Sequence, residues 1–322
     1  MPLFRRGGSS EDDREARAAA DAEQAASLAA LERGELPLRA QERLGEIGRS
    51  GGVFSSDLSV DEFALVHSIG LRPVAQVMGS SIYHVGWQQR PGVWGMQMGA
   101  ISQELTVVSQ AWNTARLRAF GRLEQEASLV GADAVVGVRL TVGRHDWAAG
   151  AIEYVAVGTA VRLEGAERAE RPALTDLSGQ DTWKLWQAGY RPLGVVGAST
   201  VHYIVPGWNT QQAQSGFYSS WANQELRDFT AGVYDARETA LGRMTAEARQ
   251  LGASGVVGVT VGHHIERREA GGGSNRQDLI VTFHVLGTAI GERTTEGREL
   301  DVSLRLDLSR DTNRPHVLGG SQ

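Results

Sequence analysis

Apolar residues recur every three or four positions along one long stretch in each half of the chain. In the first half they are Leu105, Val108, Trp112, Ala115, Ala119, Leu123, Ala127 and Val130. In the second half, 121 residues later, they are Leu226, Phe229, Val233, Ala236, Ala240, Met244, Ala248 and Leu251. This spacing predicts two long amphipathic helices, each ended by a glycine in the C′ position, Gly131 and Gly252.

Charged residues also repeat between the two helices, and they lie off the apolar stripe. They are Arg116, Arg122 and Glu126 in the first helix and Arg237, Arg243 and Glu247 in the second. Charges in such positions are typical of a solvated or an inter-subunit face. The paired acids have no base partner that the sequence identifies.

Strands are predicted on both sides of each helix, and each half opens with a short lead-in helix capped by Ser59 or Ser178. A strand precedes each long helix, and a hairpin of two strands follows it. The predicted strands are Arg72 to about Val85, 135–142 and 151–163, and then Arg191 to about Val205, 256–265 and 279–290. The repeating unit is therefore β-α-β-β.

Identical residues at matching positions indicate that the unit is duplicated in tandem. The repeated positions include Trp87 and Trp208, Gly137 and Gly258, and, after an insertion near Gly271, Thr159 and Thr288. The predicted fold class is thus α+β, with two tandem β-α-β-β domains that each combine an antiparallel sheet with one long helix.

The predicted domains cover residues 57–165 and 176–292, with a charged linker at 166–175. Residues 1–56 are predicted to form a partly disordered arm, helical from Glu11 to about Leu44, because alanine, glutamate and arginine dominate there. The arm could recruit another protein, although its composition fits a solvated helix equally well. In the tail, 293–322, the alternating run 300–308 predicts an extra strand that joins a sheet edge.

Several strands are apolar at both alternating positions, which predicts burial on both faces of the sheet. Residues 155–161 and 135–138 have this pattern. One helix per unit covers only one face, so a second layer must come from the other copy, from other chains, or from both. The sequence therefore predicts an obligate homo-oligomer.

Composition excludes several classes of function. The chain has 322 residues, a formal net charge of −6 and no cysteine. An acidic chain is a poor match for phosphate backbones, so nucleic-acid binding is not expected. Without cysteine there are no disulfides, thiolate zinc sites or iron–sulfur clusters. No stretch has the length and hydrophobicity of a membrane span, and no apolar segment follows the two N-terminal arginines, so we expect a cytoplasmic protein without membrane partners.

The second copy most clearly resembles a known family. It contains Val195-Val196-Gly197-Ala198-Ser199, then Ala248-Arg249-Gln250-Leu251-Gly252-Ala253, and finally Gly287-Thr288-Ala289-Ile290. These motifs resemble the YbjQ-like heavy-metal-binding domain, whose fold is similar to the dodecin-type β-α-β-β unit. The resemblance implies a ring-shaped oligomer, commonly a pentamer. A tandem chain could form a ring with twice as many domains as chains, or two stacked rings.

The family label makes a divalent metal ion the cofactor to test, and histidines with carboxylates are the ligands available. The candidates are His84, His202, His263 and His264. His84 aligns with Tyr203, and His202 with Tyr83, so these two histidines do not occupy equivalent sites. His263 and His264 are neighbours that point to opposite faces of a strand. In a hairpin centred near Gly271 or Gly272, His264 would face Leu279 or Ile280 rather than His284.

No enzyme motif is present that would indicate a reaction. The chain lacks a Gly-x-Ser-x-Gly elbow, a phosphate-binding Gly-Lys-Ser/Thr loop and a His-Glu-x-x-His pair. The favoured interpretation is a non-enzymatic, ring-forming assembly protein. The alternative is a ring that binds a metal or small ligand where subunits meet, with Trp87 and Trp208 as aromatic contacts. Trp87 and Trp208 are more simply explained as packing residues.

Overall fold

A computed structural model describes residues 11–50, 53–86, 100–145, 151–215, 223–269 and 276–293. Within these ranges the chain forms seven helices and two four-stranded sheets. The predicted C-terminal strand at 300–308, Trp87 and the insertion around Gly271 lie outside the described residues.

The N-terminal arm is helical, as predicted, but it consists of two helices rather than one. Helix α1 spans Glu11–Glu32 and α2 spans Leu38–Ser50. The chain turns between them at Gly34, which has a φ of 82°. Leu36 and Leu44 are buried against the first long helix, so the arm is docked on the body of the protein.

The first copy contains one lead-in helix, one long helix and three long strands. These elements are α3 (Val60–Ser68), β1 (Leu71–His84), α4 (Thr106–Leu129), β3 (Ala134–His145) and β4 (Ala151–Leu163). Strand β4 is central and pairs antiparallel with both β1 and β3. Helix α4 covers one face of this sheet, where its apolar stripe forms the core.

The second copy repeats this arrangement. Its elements are α5 (Gly179–Gln187), β6 (Tyr190–Val205), α6 (Trp208–Ser215), α7 (Arg227–Gln250), β7 (Gly255–Glu269) and β8 (Gln277–Glu292). Strand β8 is central, between β6 and β7, and α7 covers one face. The tandem α+β architecture and the β-α-β-β order predicted from the sequence are therefore confirmed.

The repeated glycines and threonines have equivalent structural roles in both copies. Gly137 and Gly258 lie at matching register shifts of the hairpins with φ of 69° and 66°, a left-handed conformation that glycine adopts without a steric penalty. Thr159 accepts a hydrogen bond from the backbone N–H of Asp57, and Thr288 accepts one from Asp176. Each threonine thereby fixes the segment that leads into the first helix of its copy.

Two short strands connect the copies, and the sequence did not predict either of them. Strand β2 (Ile101–Glu104) precedes α4 but pairs antiparallel with β6 of the second copy. Strand β5 (Ala173–Leu174) lies within the predicted linker and pairs parallel with β3. Helix α6 follows β6 and begins at Trp208. Such short segments carry no measurable periodicity, so the edges they meet determine their conformation.

Candidate functional site at the junction between the two copies

One contact between the copies is made where α4 of the first copy lies on the sheet of the second. Every residue of β6 from 195 to 205 is buried, because α7 covers one face and α4 the other. Strand β1 has the same position in the first copy, but it alternates between buried and exposed residues. Met78 and Ile82 on its outer face are 49% and 56% exposed.

Polar groups of α4 and its N-terminal cap bond directly to the backbone of β6. Asn113 accepts a hydrogen bond from the backbone N–H of Ser199 at 3.0 Å and donates one to its carbonyl oxygen at 2.7 Å. The Ser109 hydroxyl accepts the N–H of Val201 at 2.9 Å, and Leu105 donates to the carbonyl of Val201 at 2.7 Å. These bonds satisfy strand groups that would otherwise be unpaired at a sheet edge.

Among the described residues, two ion pairs cross the junction, and each uses at least one of the repeated charges off the helix stripe. Arg116 Nη2 lies 3.1 Å from Glu247 Oε2, and the Arg116 side chain is only 5% exposed. Glu247 also accepts the backbone N–H of Gly197 at 3.0 Å. The expected solvated face is therefore wrong for Arg116, which is buried between the copies.

The second ion pair joins Glu104 of β2 to Arg243 of α7. The two guanidinium nitrogens reach the two carboxylate oxygens at 2.5 and 2.8 Å, which is a bidentate geometry. Burial alone would raise the pKa of Glu104, but hydrogen bonds from Arg243 and Ser109 hold it below its usual range. The carboxylate is thus ionised in the folded chain at neutral pH.

A cleft of about 310 Å³ lies at this junction, lined by residues of both copies. Tyr154 of the first copy places its hydroxyl 3.1 Å from Ser199 Oγ, which is 2.8 Å from His284 Nδ1. Trp112 packs on the His284 ring with a centroid distance of 4.7 Å. The Ser199–His284 contact has the distance of a nucleophile and its base. Ser199 is only 2% exposed, so this chain of hydrogen bonds links the two copies in a buried part of the junction.

The predicted metal candidates do not come together. His84 is exposed at the end of β1, opposite Ala151, whereas His202 is buried in β6. His263 and His264 are exposed neighbours on β7. Within the described ranges no three histidines or carboxylates lie close enough to hold a metal ion. The described residues of one chain therefore do not fit a metal site.

The register of the second hairpin corrects the expected neighbours of these histidines. His264 is opposite Thr282, not Leu279 or Ile280, because the strand pairing is centred further along the chain than the prediction assumed. His263 stacks on the Phe283 ring with a centroid distance of 5.7 Å. Burial lowers the pKa of His202, although Glu104 and Asp235 oppose this effect. The lowered pKa favours the neutral form of the buried His202 imidazole.

Sequence reasoning missed the residues that bond across the junction, Asn113, Ser199 and His284. Asn113 and His284 have no counterpart of the same type in the other copy, so the comparison of repeats did not single them out. The signal that was present is the repetition of Arg116 and Glu126 as Arg237 and Glu247. Trp208 is 61% exposed at the start of α6 and has no part in the junction.

Comparison with known proteins places the repeats in one family. The profile of the family described as "Putative heavy-metal-binding", YbjQ_1, matches residues 97–164 and 193–291. The chain is 38% identical over 275 residues to the encapsulin nanocompartment protein Rv1762c of Mycobacterium tuberculosis, covering 84% of this chain and 96% of that protein.

Shorter relatives match one copy at a time. A UPF0145 protein of Archaeoglobus fulgidus is 37% identical over 98 residues, which is 29% of this chain and 85% of the relative. A UPF0145 protein of Pseudothermotoga lettingae is 37% identical over 78 residues, 23% of this chain and 70% of the relative. No solved structure matches the chain. Among the described helices, none is both long and apolar enough to cross a bilayer.

Proposed function

The chain belongs to the YbjQ family, and on that premise we propose that it is a non-enzymatic assembly protein of the cytoplasm that closes into a homo-oligomeric ring. One observation carries the proposal. The outer face of β1, defined by Gln76, Met78, Ser80 and Ile82, lacks the cover that α4 gives to the equivalent face of β6. A sheet face with two exposed apolar side chains, Met78 and Ile82, and a covered twin in the same chain favours a cover from another chain.

The relatives support the same function. The Mycobacterium tuberculosis protein is named for an encapsulin nanocompartment and matches nearly its whole length, which favours self-assembly of this chain as well. A ring in which the two copies alternate contains twice as many domains as chains. A ring of five chains, as the family resemblance implies, would thus contain ten domains.

Native mass spectrometry of tag-free protein, combined with sedimentation velocity, tests the proposal. We expect one multimer with a fixed number of chains across micromolar concentrations, and ring-shaped particles by negative-stain electron microscopy. A chain that stays monomeric would contradict assembly altogether. Open filaments of variable length would contradict the ring but not self-assembly, because a head-to-tail contact closes only when its rotation does.

A second candidate function is binding of a small ligand in the junction cleft. The observation that favours it is the convergence of Tyr154, Ser199 and His284 from both copies on one cleft. A reproducible non-protein mass on each chain in the native spectrum would support this function. The matched control is His284→Val, because valine is the residue at the equivalent position 155 of the first copy. The metal form requires binding of Zn²⁺ after treatment with a chelator, and no heat of binding would rule it out.

A further inference from the structure

The junction inside the chain is a head-to-tail contact, since the two copies contribute different surfaces to it. The first copy contributes α4, β2 and the edge of β3, which we call the covering surface. The second copy contributes the outer face of β6 and the segment 173–177 before α5, which we call the receiving surface. Because the copies are duplicates, each should possess both surfaces. One of each is unused in a single chain.

The unused receiving surface lies on the first copy. The outer face of β1 borders a groove of about 620 Å³ whose other walls are α4 and the N-terminal arm. Met78, Ser80 and Ile82 of this groove are equivalent to Gly197, Ser199 and Val201 of β6, which α4 covers. The groove therefore corresponds in position to the seat of α4 on the second copy.

The unused covering surface lies on the second copy. Thr230, Val233, Tyr234 and Arg237 of α7 are equivalent to Ser109, Trp112, Asn113 and Arg116 of α4. Tyr234 is 57% exposed, and the Arg237 side chain is 45% exposed, whereas Arg116 is buried. Val259 and Val261 of β7 are also exposed, at 41% and 49%. An uncovered helix face and an uncovered strand edge thus lie side by side.

We propose that a second copy of this chain occupies the groove: α7 of one chain docks on β1 of the next, as α4 docks on β6 within the chain. This inference deepens the proposed function and rests on it, because it names the two surfaces through which successive chains join. A second copy is the expected occupant because the internal junction already joins a covering surface to a receiving surface.

The charges of the two unused surfaces are complementary. Arg116 pairs with Glu247 inside the chain, so Arg237 is expected to pair with Glu126 of the next chain. Glu126 is 4% exposed and accepts the N–H of Met78 at 2.8 Å, just as Glu247 accepts that of Gly197. The Glu126 carboxylate thus has the same position in the first copy that the Glu247 carboxylate has in the second.

The second internal ion pair has a counterpart as well. Glu104 pairs with Arg243, so Glu225 is expected to pair with Arg122 of the next chain. Arg122 donates to the carbonyl of Ser80, but its Nε is buried without a hydrogen-bond partner. Desolvation and the charge of Arg118 lower the pKa of Arg122. A carboxylate from the next chain would stabilise this partly buried cation.

The backbone hydrogen bonds between strand edges also have counterparts on the unused surfaces. Within the chain, Gly137 donates to the carbonyl of Leu177 at 3.1 Å and Val138 to that of Thr175 at 2.9 Å. The equivalent donors on β7 are Gly258 and Val259, and the equivalent acceptors are Leu58 and Ser56 of the next chain. Three separate parts of the internal junction therefore recur together on the unused surfaces.

The two junctions are not identical. Tyr234 replaces Asn113, and Val155 replaces His284, so the hydrogen bonds of the cleft have no counterpart between chains. Such differences help each covering surface to select its own receiving surface, because a buried polar group without its partner is penalised.

Cysteine cross-linking tests the contact directly, since the natural chain contains no cysteine. Thr230→Cys with Ile82→Cys places one thiol on each unused surface, equivalent to the bonded pair Ser109 and Val201. Mild oxidation should join successive chains and give a ladder on a non-reducing gel that ends at the number of chains in the ring. The matched control is Ser109→Cys with Val201→Cys, which should form its disulfide within one chain and give no ladder.

Charge reversal provides the second arm of the test. Arg237→Glu should raise the apparent dissociation constant of the assembly at least about 30-fold, because it places two carboxylates together in a buried contact. Arg249→Glu makes the same charge change on an exposed position of the same helix and should change it less than about threefold. Combining Glu225→Arg with Arg122→Glu should restore most of the assembly that Glu225→Arg alone removes.

The outcomes separate the inference from the proposed function. A ladder together with assembly that is sensitive to Arg237→Glu would support both. A multimer in the native spectrum that gives no ladder and tolerates Arg237→Glu would overturn the inference and leave the assembly function intact. A monomer in the native spectrum would overturn both, whatever the variants do.

Discussion

Strands β1 and β6 occupy the same position in two copies of one unit, yet only β6 is buried on both faces. Three positions of their outer faces are similar in character, because Met78, Ser80 and Ile82 of β1 correspond to Gly197, Ser199 and Val201 of β6. The difference in burial therefore comes from what lies on each strand and not from the strand itself. A face that solvent reaches in the single chain but that has an apolar sequence is a face built for a partner.

A charge placed on the outer face should have the largest difference in effect between the two strands. Val201→Asp places a carboxylate between the copies at a position 3% exposed and should cost more than about 4 kcal/mol in the free energy of unfolding. Ile82→Asp makes the matching change on β1 and should leave a folded, monomeric chain. Circular dichroism with urea unfolding measures the first effect, and sedimentation velocity measures the second. Equal loss of folding in both variants would mean that the two faces are already equivalent in the single chain.

The next comparison uses the two repeated glutamates. Glu247→Gln removes the charge that pairs with buried Arg116, and an uncompensated buried cation should cost about 3 kcal/mol of unfolding free energy. Glu126→Gln should cost less than about 1 kcal/mol in a separated chain, because an amide oxygen can still accept the N–H of Met78. Both variants should be unfolded with urea in the Ile82→Asp background. That chain is expected to be monomeric, so the measured unfolding free energy contains no contribution from assembly. Similar losses in the two variants would contradict the assigned asymmetry of the junction.

Much of this architecture could be predicted from the sequence, because long elements carry periodicity and the repeat supplies each element twice. The apolar stripe of α4 ends at Gly131, and that glycine has the left-handed φ of 72° that a C′ position requires. The apolar pattern of the strands also predicted a second covering layer. That prediction came from residues 135–138 and 155–161 of the first copy, whereas the strand that α4 covers as a second layer is β6.

The contacts between the copies could not be predicted in the same way. Strand β2 is four residues long, and its partner in β6 is about a hundred residues away, so neither local pattern nor propensity indicates the pairing. Asn113 forms hydrogen bonds with the backbone of Ser199. Because every residue has the same backbone N–H and carbonyl groups, the sequence does not indicate which residue is the partner. The histidine candidates for a metal could be read from the sequence, but the burial of His202 and the exposure of His84, His263 and His264 could not.

The smallest expected effect concerns pH and distinguishes a separated chain from an assembled one. Burial raises the pKa of Glu126 above 4.5, although the N–H of Met78 and the charge of Arg43 oppose this shift. A carboxyl whose folded pKa is raised adds stability that is fully present below its unfolded pKa and is lost as pH rises through the folded pKa. In the Ile82→Asp background, the unfolding free energy should therefore fall with rising pH above 4.5, relative to the same chain carrying Glu126→Gln.

Assembly should reverse the sign of that pH dependence. If Arg237 of the neighbouring chain lies beside Glu126, its charge favours the carboxylate and lowers the pKa of the glutamate. The contribution of Glu126 to assembly would then be present above the raised pKa of the separated chain and lost as pH falls through the lower pKa of the assembled one. Sedimentation across this pH range, with Glu126→Gln as the control, should show the parent assembly dissociating on acidification while the variant changes less. Dissociation that increases with pH through this carboxyl would mean that Glu126 stays unpaired in the ring.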